Sequence, residues 1–411
     1  MEAAEKSTVT QTESLSQTEV LNPKDQWRRL SVLIAASGVD MIGFAMILPL
    51  LPFYALDLKA TPFTIGLIIS SFSIAQLLSA PLWGRVSDRH GRRPALLIGL
   101  AASALSYAVF GLANTVWLLF ASRIVQGAGG GTTGVAQAYV ADTVRPEDRV
   151  RALGWLSAAT SAGVMVGPAI GSFAARFGNS VPGLLAAALC LVNVVCAWKW
   201  LPESRKALQG NREKKSLFAV WIAAVGIIYR PNEPVSRLIW IYSVGMLAFS
   251  AMTSVLSLYL GAEFGFTAST IGYVFLYIGA LSLFVRSLCL GPINARIGEV
   301  WAMRLGTIAI FLGFLAYTAA KSLWTLIMII PLIPIGAALL FPATTSLMSR
   351  ASEKADLGAT MGIAQTYAGV SRLIAPLLAT FAYQNFGHET PFYFGAATVA
   401  LVGILAFFRP R

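Results

Sequence analysis

GRVSDRHGRRP, residues 84–94, is a knot of charge wedged between two long apolar runs. Arg85, Asp88, Arg89, His90, Arg92 and Arg93 crowd into it. A short polar loop joining two membrane helices needs glycine at its corners, here Gly84 and Gly91, because the backbone reverses within one or two turns. It needs arginine because a basic loop stays on the cytoplasmic side.

The flanking sequence extends that reading. The chain has 411 residues, 56% hydrophobic and only 12% charged, which is outside the balance of a soluble protein. Apolar stretches of about twenty residues, long enough to cross a hydrocarbon core of roughly 30 Å, recur along it. They predict spans at 30–52, 63–84, 94–113, 116–141, 152–175 and 181–201, then at 237–260, 268–290, 300–319, 323–348, 356–383 and 391–408. The expected fold is an all-α membrane protein of 12 transmembrane helices, in two pseudo-symmetric six-helix bundles around a central cavity. Residues 1–29, rich in Ser, Thr, Glu and Gln up to residue 24, read as a disordered cytoplasmic tail. Residues 30–202 form the first bundle, and 203–236 a cytoplasmic linker with a short interfacial helix at Leu217 to Ile228. Residues 237–411 form the second bundle.

A formal net charge of +12 would fit nucleic acid, but its placement decides otherwise. With the N-terminus inside, all but five of the 31 Lys and Arg fall on the cytoplasmic side. Lys59, Arg176 and Lys321 lie outside, and Arg123 and Arg372 lie within spans. The basic charge is a topology signal. Nine tryptophans from Trp27 to Trp324 fall near predicted helix ends, the interfacial belt of amphipathic rings, and Trp221 falls in the linker. Cys190, Cys196 and Cys289 lie in apolar helices without metal-ligand spacing and read as packing residues.

A repeat links the two halves. Gly84, Arg89 and Gly91 recur as Gly291, Arg296 and Gly298 in GPINARIG, at one constant offset and without the aspartate.

Of 19 acidic residues, only Asp40 lies deep in a span. A charged group at mid-helix costs roughly 2.5–3.5 kcal/mol on insertion scales, so it needs a reason. It either carries a proton as access alternates or stays ionised as the partner of Arg123, holding the first and fourth helices together. Gln126 and Gln137 are expected on one face of the fourth helix. Gly127, Gly131 and Gly134 form a smooth surface for a neighbouring helix or a cargo. In the fifth helix Gly163, Gly167, Pro168 and Gly171 make a kinked, close-packing groove. Arg372, mid-span in the second half, either attracts an anionic or carbonyl-bearing cargo or bonds backbone carbonyls. Arg286, nearer a helix end, is expected to snorkel. Phe44, Tyr139, Tyr277, Gln365 and Tyr367 are further candidates for the cavity wall.

Together these segments resemble the twelve-span drug:proton antiporter branch of the major facilitator superfamily, which includes bacterial tetracycline and multidrug exporters. Asp40, Gly43, Pro49 and Pro52 match its first-helix pattern, and Gly84, Asp88, Arg89, Gly91, Arg92 and Arg93 its helix 2–3 loop. Arg123, Gln126, Gly127 and Gly131 match its helix 4 motif, and Gly163, Gly167, Pro168 and Gly171 its helix 5 antiporter motif. Ser172 replaces the second of the two glycines that usually end that last motif. The resemblance implies that Asp40 and Arg123 couple protons. It also implies that Asp88, Arg89 or Arg92, and Asp142 form a cytoplasmic charge network that latches the outward-facing state. The competing reading is a charged loop that merely sets topology.

The implied activity is proton-coupled export of small amphiphilic drugs or metabolites. A metabolite symporter or facilitator on the same fold and a non-transporting sensor are the alternatives. No GxxxxGK[ST], HExxH or serine nucleophile elbow occurs, so neither ATP hydrolysis nor membrane enzymology is expected. The expected coupling ion is the proton, with no other cofactor and no metal. The expected partners are a small-molecule cargo and the lipid bilayer, without nucleic acid, for a chain acting as a monomer. The resemblance places it in a bacterial inner membrane with both termini cytoplasmic.

Overall fold

The structure, a computed structural model, describes residues 23–204, 233–352 and 357–407. Among them every regular element is a helix. In chain order these are α1 (Pro23–Ile47), α2 (Leu51–Asp57), α3 (Pro62–His90), α4 (Arg92–Gly111), α5 (Val116–Gly129), α6 (Thr132–Thr143), α7 (Arg149–Ala175) and α8 (Val181–Trp200). They continue as α9 (Pro234–Phe264), α10 (Ala268–Phe284), α11 (Leu290–Ala319), α12 (Leu323–Ile329), α13 (Leu332–Ala351), α14 (Leu357–Phe386) and α15 (Thr390–Phe407).

Local chemistry sets the breaks. Pro49 and Pro52 flank the step between α1 and α2, and three glycines, Gly129 to Gly131, divide α5 from α6. Helix starts carry their own caps: Thr61 Oγ1 accepts from Thr64 N at 3.3 Å, and Ser322 Oγ accepts from Thr325 N at 3.2 Å. Counted as membrane crossings, α1 with α2, α5 with α6 and α12 with α13 are single spans. A π-helical turn, Val285–Cys289, carries α10 into the start of α11, and the kink at Gly298 divides α11 between two crossings. The result is twelve spans in two bundles of six.

The repeat is written in the backbone. Gly91 has φ 105°, ψ 161° and Gly298 has φ 78°, ψ 163°, a region that residues with a Cβ rarely enter. Each turns the chain between the second and third spans of its half. The degenerate copy GPINARIG therefore keeps its turn while losing the aspartate, and Ala295 stands where Asp88 stands in the first half.

Helix contacts inside each bundle rest on small residues, because lipid tails supply little hydrophobic drive between helices. Gly163, Gly167 and Gly171 on α7 lie against the backbone carbonyls of Gly38, Ile42 and Met46 on α1; a Cβ there would stand 2.5, 2.6 and 2.5 Å from them. Other large apolar side chains face outward. Leu78 is 70% and Trp117 79% exposed, as a lipid-facing surface requires.

Two boundaries move. α1 begins at Pro23, inside the segment expected to be tail, and Trp27 lies under the Arg151 guanidinium at 5.1 Å. Glu203, expected in the linker, caps the first turn of α4 instead. The helix expected at Leu217 to Ile228 lies outside the described residues.

Among the described residues the halves meet from one end to about the middle of the spans. There Phe63 N donates to Gln384 Oε1 at 3.0 Å, Ser70 Oγ to the Leu373 carbonyl at 2.8 Å, and Ser172 Oγ to the Ala268 carbonyl at 2.6 Å. At the other end, where residues 84–94 lie, the halves part around a cavity.

Candidate functional site

The cavity has a volume of about 920 Å³. It runs from Asp40, Tyr107 and Arg372 to Gly84, Ser87, Asp88 and Arg92 at the basic end. Phe44 and Phe72, their rings 5.5 Å apart, give it an aromatic wall. Gln126, Gln365 and Gln76 add amide groups.

Asp40 is 6% exposed and belongs to two spaces at once, the cavity and a narrow crevice of about 30 Å³ inside the first bundle. Its carboxylate accepts from the Ser103 hydroxyl, and Cys190 Sγ lies 4.0 Å from Oδ1. The expected partner is not in contact: among the described residues Arg123 makes no ion pair, and its Nε and Nη2 have no hydrogen-bond partner. Arg123 is only 1% exposed, with its guanidinium 5.6 Å from the Phe110 ring centroid. Tyr107 stands between the two charges, within electrostatic reach of both. Gln126 Nε2 donates to its Oη at 2.9 Å. A hydroxyl and an amide thus lie near the two charged groups in place of a direct Asp40–Arg123 pair.

Tyr107, Ser103 and Cys190 escaped the sequence reading. Gly43 held a clue: a Cβ there would stand 2.9 Å from the Tyr107 ring, so the glycine makes room for that ring.

Four of the eight candidates for the cavity wall line it: Phe44, Gln126, Gln365 and Arg372. Gln137 does not, because the helix breaks between Gly129 and Thr132 and the assumed common face is interrupted. Tyr139 is fully buried nearer the basic end and donates to the Pro202 carbonyl at 2.9 Å, a packing position. Tyr277 is 39% exposed away from the cavity wall, and Tyr367 packs edge-on against Trp240 at 5.7 Å.

The loop charges resolve into one hub. Arg92, 8% exposed, pairs through Nη1 with Asp88 Oδ1 at 2.8 Å and through Nε with Asp142 Oδ2 at 2.9 Å. Arg89 stays exposed. Arg93 donates to the Trp198 carbonyl. Glu203 accepts from the Arg92 and Arg93 amides at 2.8 and 3.1 Å, at the positive end of α4. These pairs join spans of one bundle and are made while the cavity is open at this end.

The second half carries the same device with its signs exchanged. Glu299, next to Gly298 as Arg92 is next to Gly91, accepts from Arg350 Nη2 at 2.9 Å and from Ser346 Oγ at 2.8 Å.

Ser172 turns its departure from the glycine pattern into a contact. Its Oγ donates to the Ala268 carbonyl at 2.6 Å and accepts from Gly272 N at 2.8 Å, joining the halves at the closed end.

Two pseudo-symmetric six-helix bundles around a polar cavity, closed at one end and open at the other, define a membrane transporter. The sequence agrees with a known family model, the Major Facilitator Superfamily, over residues 33–289 and 238–411. The chain belongs to that superfamily. It is 28% identical over 369 residues to the tetracycline resistance protein, class B, of Escherichia coli, covering 89% of this chain and 90% of that one. It is 29% identical over 380 residues to multidrug resistance protein 2 of Bacillus subtilis, covering 91% and 92%. Among solved structures, a bacterial homolog of the human lysosomal transporter Spinster, in an inward-facing and unoccupied conformation, superposes with TM-score 0.78. The identity is 13%, over 94% of this chain and 97% of that one.

Proposed function

We propose that the chain is a proton-coupled antiporter that exports small amphiphilic compounds, tetracycline-like or multidrug in range, by alternating access. The observation that carries this reading is Asp40, a buried carboxylate at the head of the cavity that forms no ion pair among the described residues. A proton taken up on Asp40 from one side and released when the cavity faces the other couples the two fluxes. Tyr107 lies in electrostatic reach of both Asp40 and Arg123, and Ser103 donates to the carboxylate, so Asp40 can lose its proton without a direct ion pair. The names of the relatives support export as the direction.

On this reading the basic end is cytoplasmic, both termini lie inside, and the structure faces inward in a bacterial inner membrane. The chain acts as a monomer, needs no cofactor beyond protons and catalyses no covalent reaction. One carboxylate carries about one proton. Falling through 100 mV that proton yields about 2.3 kcal/mol, and one pH unit adds about 1.4 kcal/mol. Together they sustain a gradient of roughly several hundred-fold for a neutral cargo.

The test is efflux in inside-out vesicles carrying the protein or Asp40→Asn, screened with tetracyclines, fluoroquinolones and lipophilic dyes. Cargo-dependent proton movement that disappears in the variant is expected. Proton-coupled export that survives Asp40→Asn refutes the assignment.

A further inference from the structure

The second half of the molecule carries two arginines, Arg286 and Arg372, that form no ion pair among the described residues, and Arg372 lines the cavity. Arg372 lies at the middle of α14, half-buried, and lines the cavity. Arg286 lies on the π-helical turn Val285–Cys289. Such wide turns inside helices are frequent at functional sites, where they re-aim a side chain at the expense of regular bonding. One phenol ties the two together: Tyr242 is within electrostatic reach of both guanidinium groups. Tyr242 Oη accepts from Gln365 Nε2 at 3.4 Å, and Gln365 is itself on the cavity wall. Arg286, Tyr242, Gln365 and Arg372 therefore converge from three spans.

Among the described residues no carboxylate is paired with either guanidinium. The ion pairs among the described residues involve Arg92, Arg145, Arg350 and His388, and neither Arg286 nor Arg372. Among the described residues two carboxylates reach the cavity wall, both from the first half. Asp88 is bonded to Arg92, and Asp40 is held by Ser103 beside Cys190. Positive charge inside a membrane span is costly unless something compensates it. Guanidinium groups present planar, paired donors that match carboxylate-like oxygens.

We propose that Arg286, Arg372, Tyr242 and Gln365 form a subsite for an anionic group of the cargo, a carboxylate, sulfonate or enolate, in the half of the molecule opposite Asp40. The proposal rests on the transporter reading above and narrows its cargo to organic anions or zwitterions. The apolar body of such a cargo meets Phe44 and Phe72. Separation of the two sites has a functional consequence. The cargo's anion and the coupling proton occupy different halves and need not compete for one carboxylate.

The experiment uses the full chain in lipid nanodiscs and two xanthene dyes of similar shape and opposite charge, anionic fluorescein and cationic rhodamine 6G. Binding is read by fluorescence anisotropy with no proton gradient. Fluorescein is expected to bind about tenfold or more tightly than rhodamine 6G. Arg372→Gln and Arg286→Gln are each expected to weaken fluorescein by about tenfold, with rhodamine 6G unchanged. The lysine variants should retain part of the affinity, because charge survives while the fork geometry is lost. Equal or tighter binding of rhodamine 6G by the native protein overturns the proposal. So does unchanged fluorescein affinity in a monodisperse R286Q/R372Q double variant. Anion-selective binding without proton-coupled flux would sink the antiport reading alone, whereas antiport with cation preference would sink this subsite alone.

Discussion

A methyl group added at Gly272 tests whether the closed end is a gate. Gly272, on α10, faces the backbone of α7, and a Cβ there would stand 2.0 Å from the Pro168 carbonyl oxygen and 2.6 Å from Ser172 Oγ. Ordinary contact begins near 3.4 Å, so Gly272→Ala forces the two backbones apart by about 1 Å. The obstacle is a main-chain oxygen, which cannot rotate away as a side chain does. Overpacking of this kind costs about 1–3 kcal/mol. The strain exists only where α7 and α10 touch, so a form with this end open escapes it. The equilibrium should then move toward that form by about five- to 150-fold. Double electron–electron resonance between nitroxides at Phe177 and Ala262, with Cys190, Cys196 and Cys289 replaced by alanine, reads the separation directly. A longer distance population that grows in Gly272→Ala is expected. An unchanged distribution in folded protein refutes the reasoning, since it would mean that the contact persists in both forms.

Other consequences follow from the same contacts. Ser172→Ala removes two hydrogen bonds across the closed end, each worth about 1 kcal/mol, and should shift the same distance distribution in the same direction by roughly thirtyfold. Tyr107→Phe deletes the hydroxyl between Asp40 and Arg123 and leaves Gln126 Nε2 without its acceptor; proton flux per cargo should fall at least about tenfold while thermal stability drops by only about 1–3 kcal/mol. Glu299→Arg should slow transport by placing like charges at Arg350, and the exchanged pair E299R/R350E should restore most of it; failure of the exchange to rescue would refute the inverted-network reading. Gly91→Ala should cost more than a surface substitution, about 1–3 kcal/mol, because φ is 105° and a Cβ would stand 2.4 Å from Glu203 Oε2. Thermal unfolding measured on purified protein decides it.

Much of the molecule was legible before its tertiary structure. Hydropathy located the crossings, because burying an unpaired backbone in lipid is so unfavourable that each span must be a continuous apolar helix. The paired glycines predicted the turns at Gly91 and Gly298, since the required φ all but excludes other residues. The solitary Asp40 marked a residue of the cavity wall, because a charge in a span is rare enough to need a reason. Gly163, Gly167 and Gly171 announced a close helix contact by their spacing alone.

What the chain folds against was a different matter. Asp40 was read as either a proton carrier or the partner of Arg123, and among the described residues the two form no ion pair, with Tyr107 in electrostatic reach of both. Arg92 rather than Arg89 became the hub of the loop, and Glu299 answered it with the opposite sign in the other half. Ser172, a blemish in a motif, proved to be a link between the bundles. Each of these depends on how a helix is rotated about its own axis. Membrane helices are apolar on most faces, so periodicity does not reveal that rotation, and one break such as Gly129 to Gly131 resets it for Gln137 and Tyr139. Crossing a membrane is a demand each segment meets alone, and so it is written locally. Pairing a charge requires spans far apart in sequence to present matching faces, and only their packing settles which do.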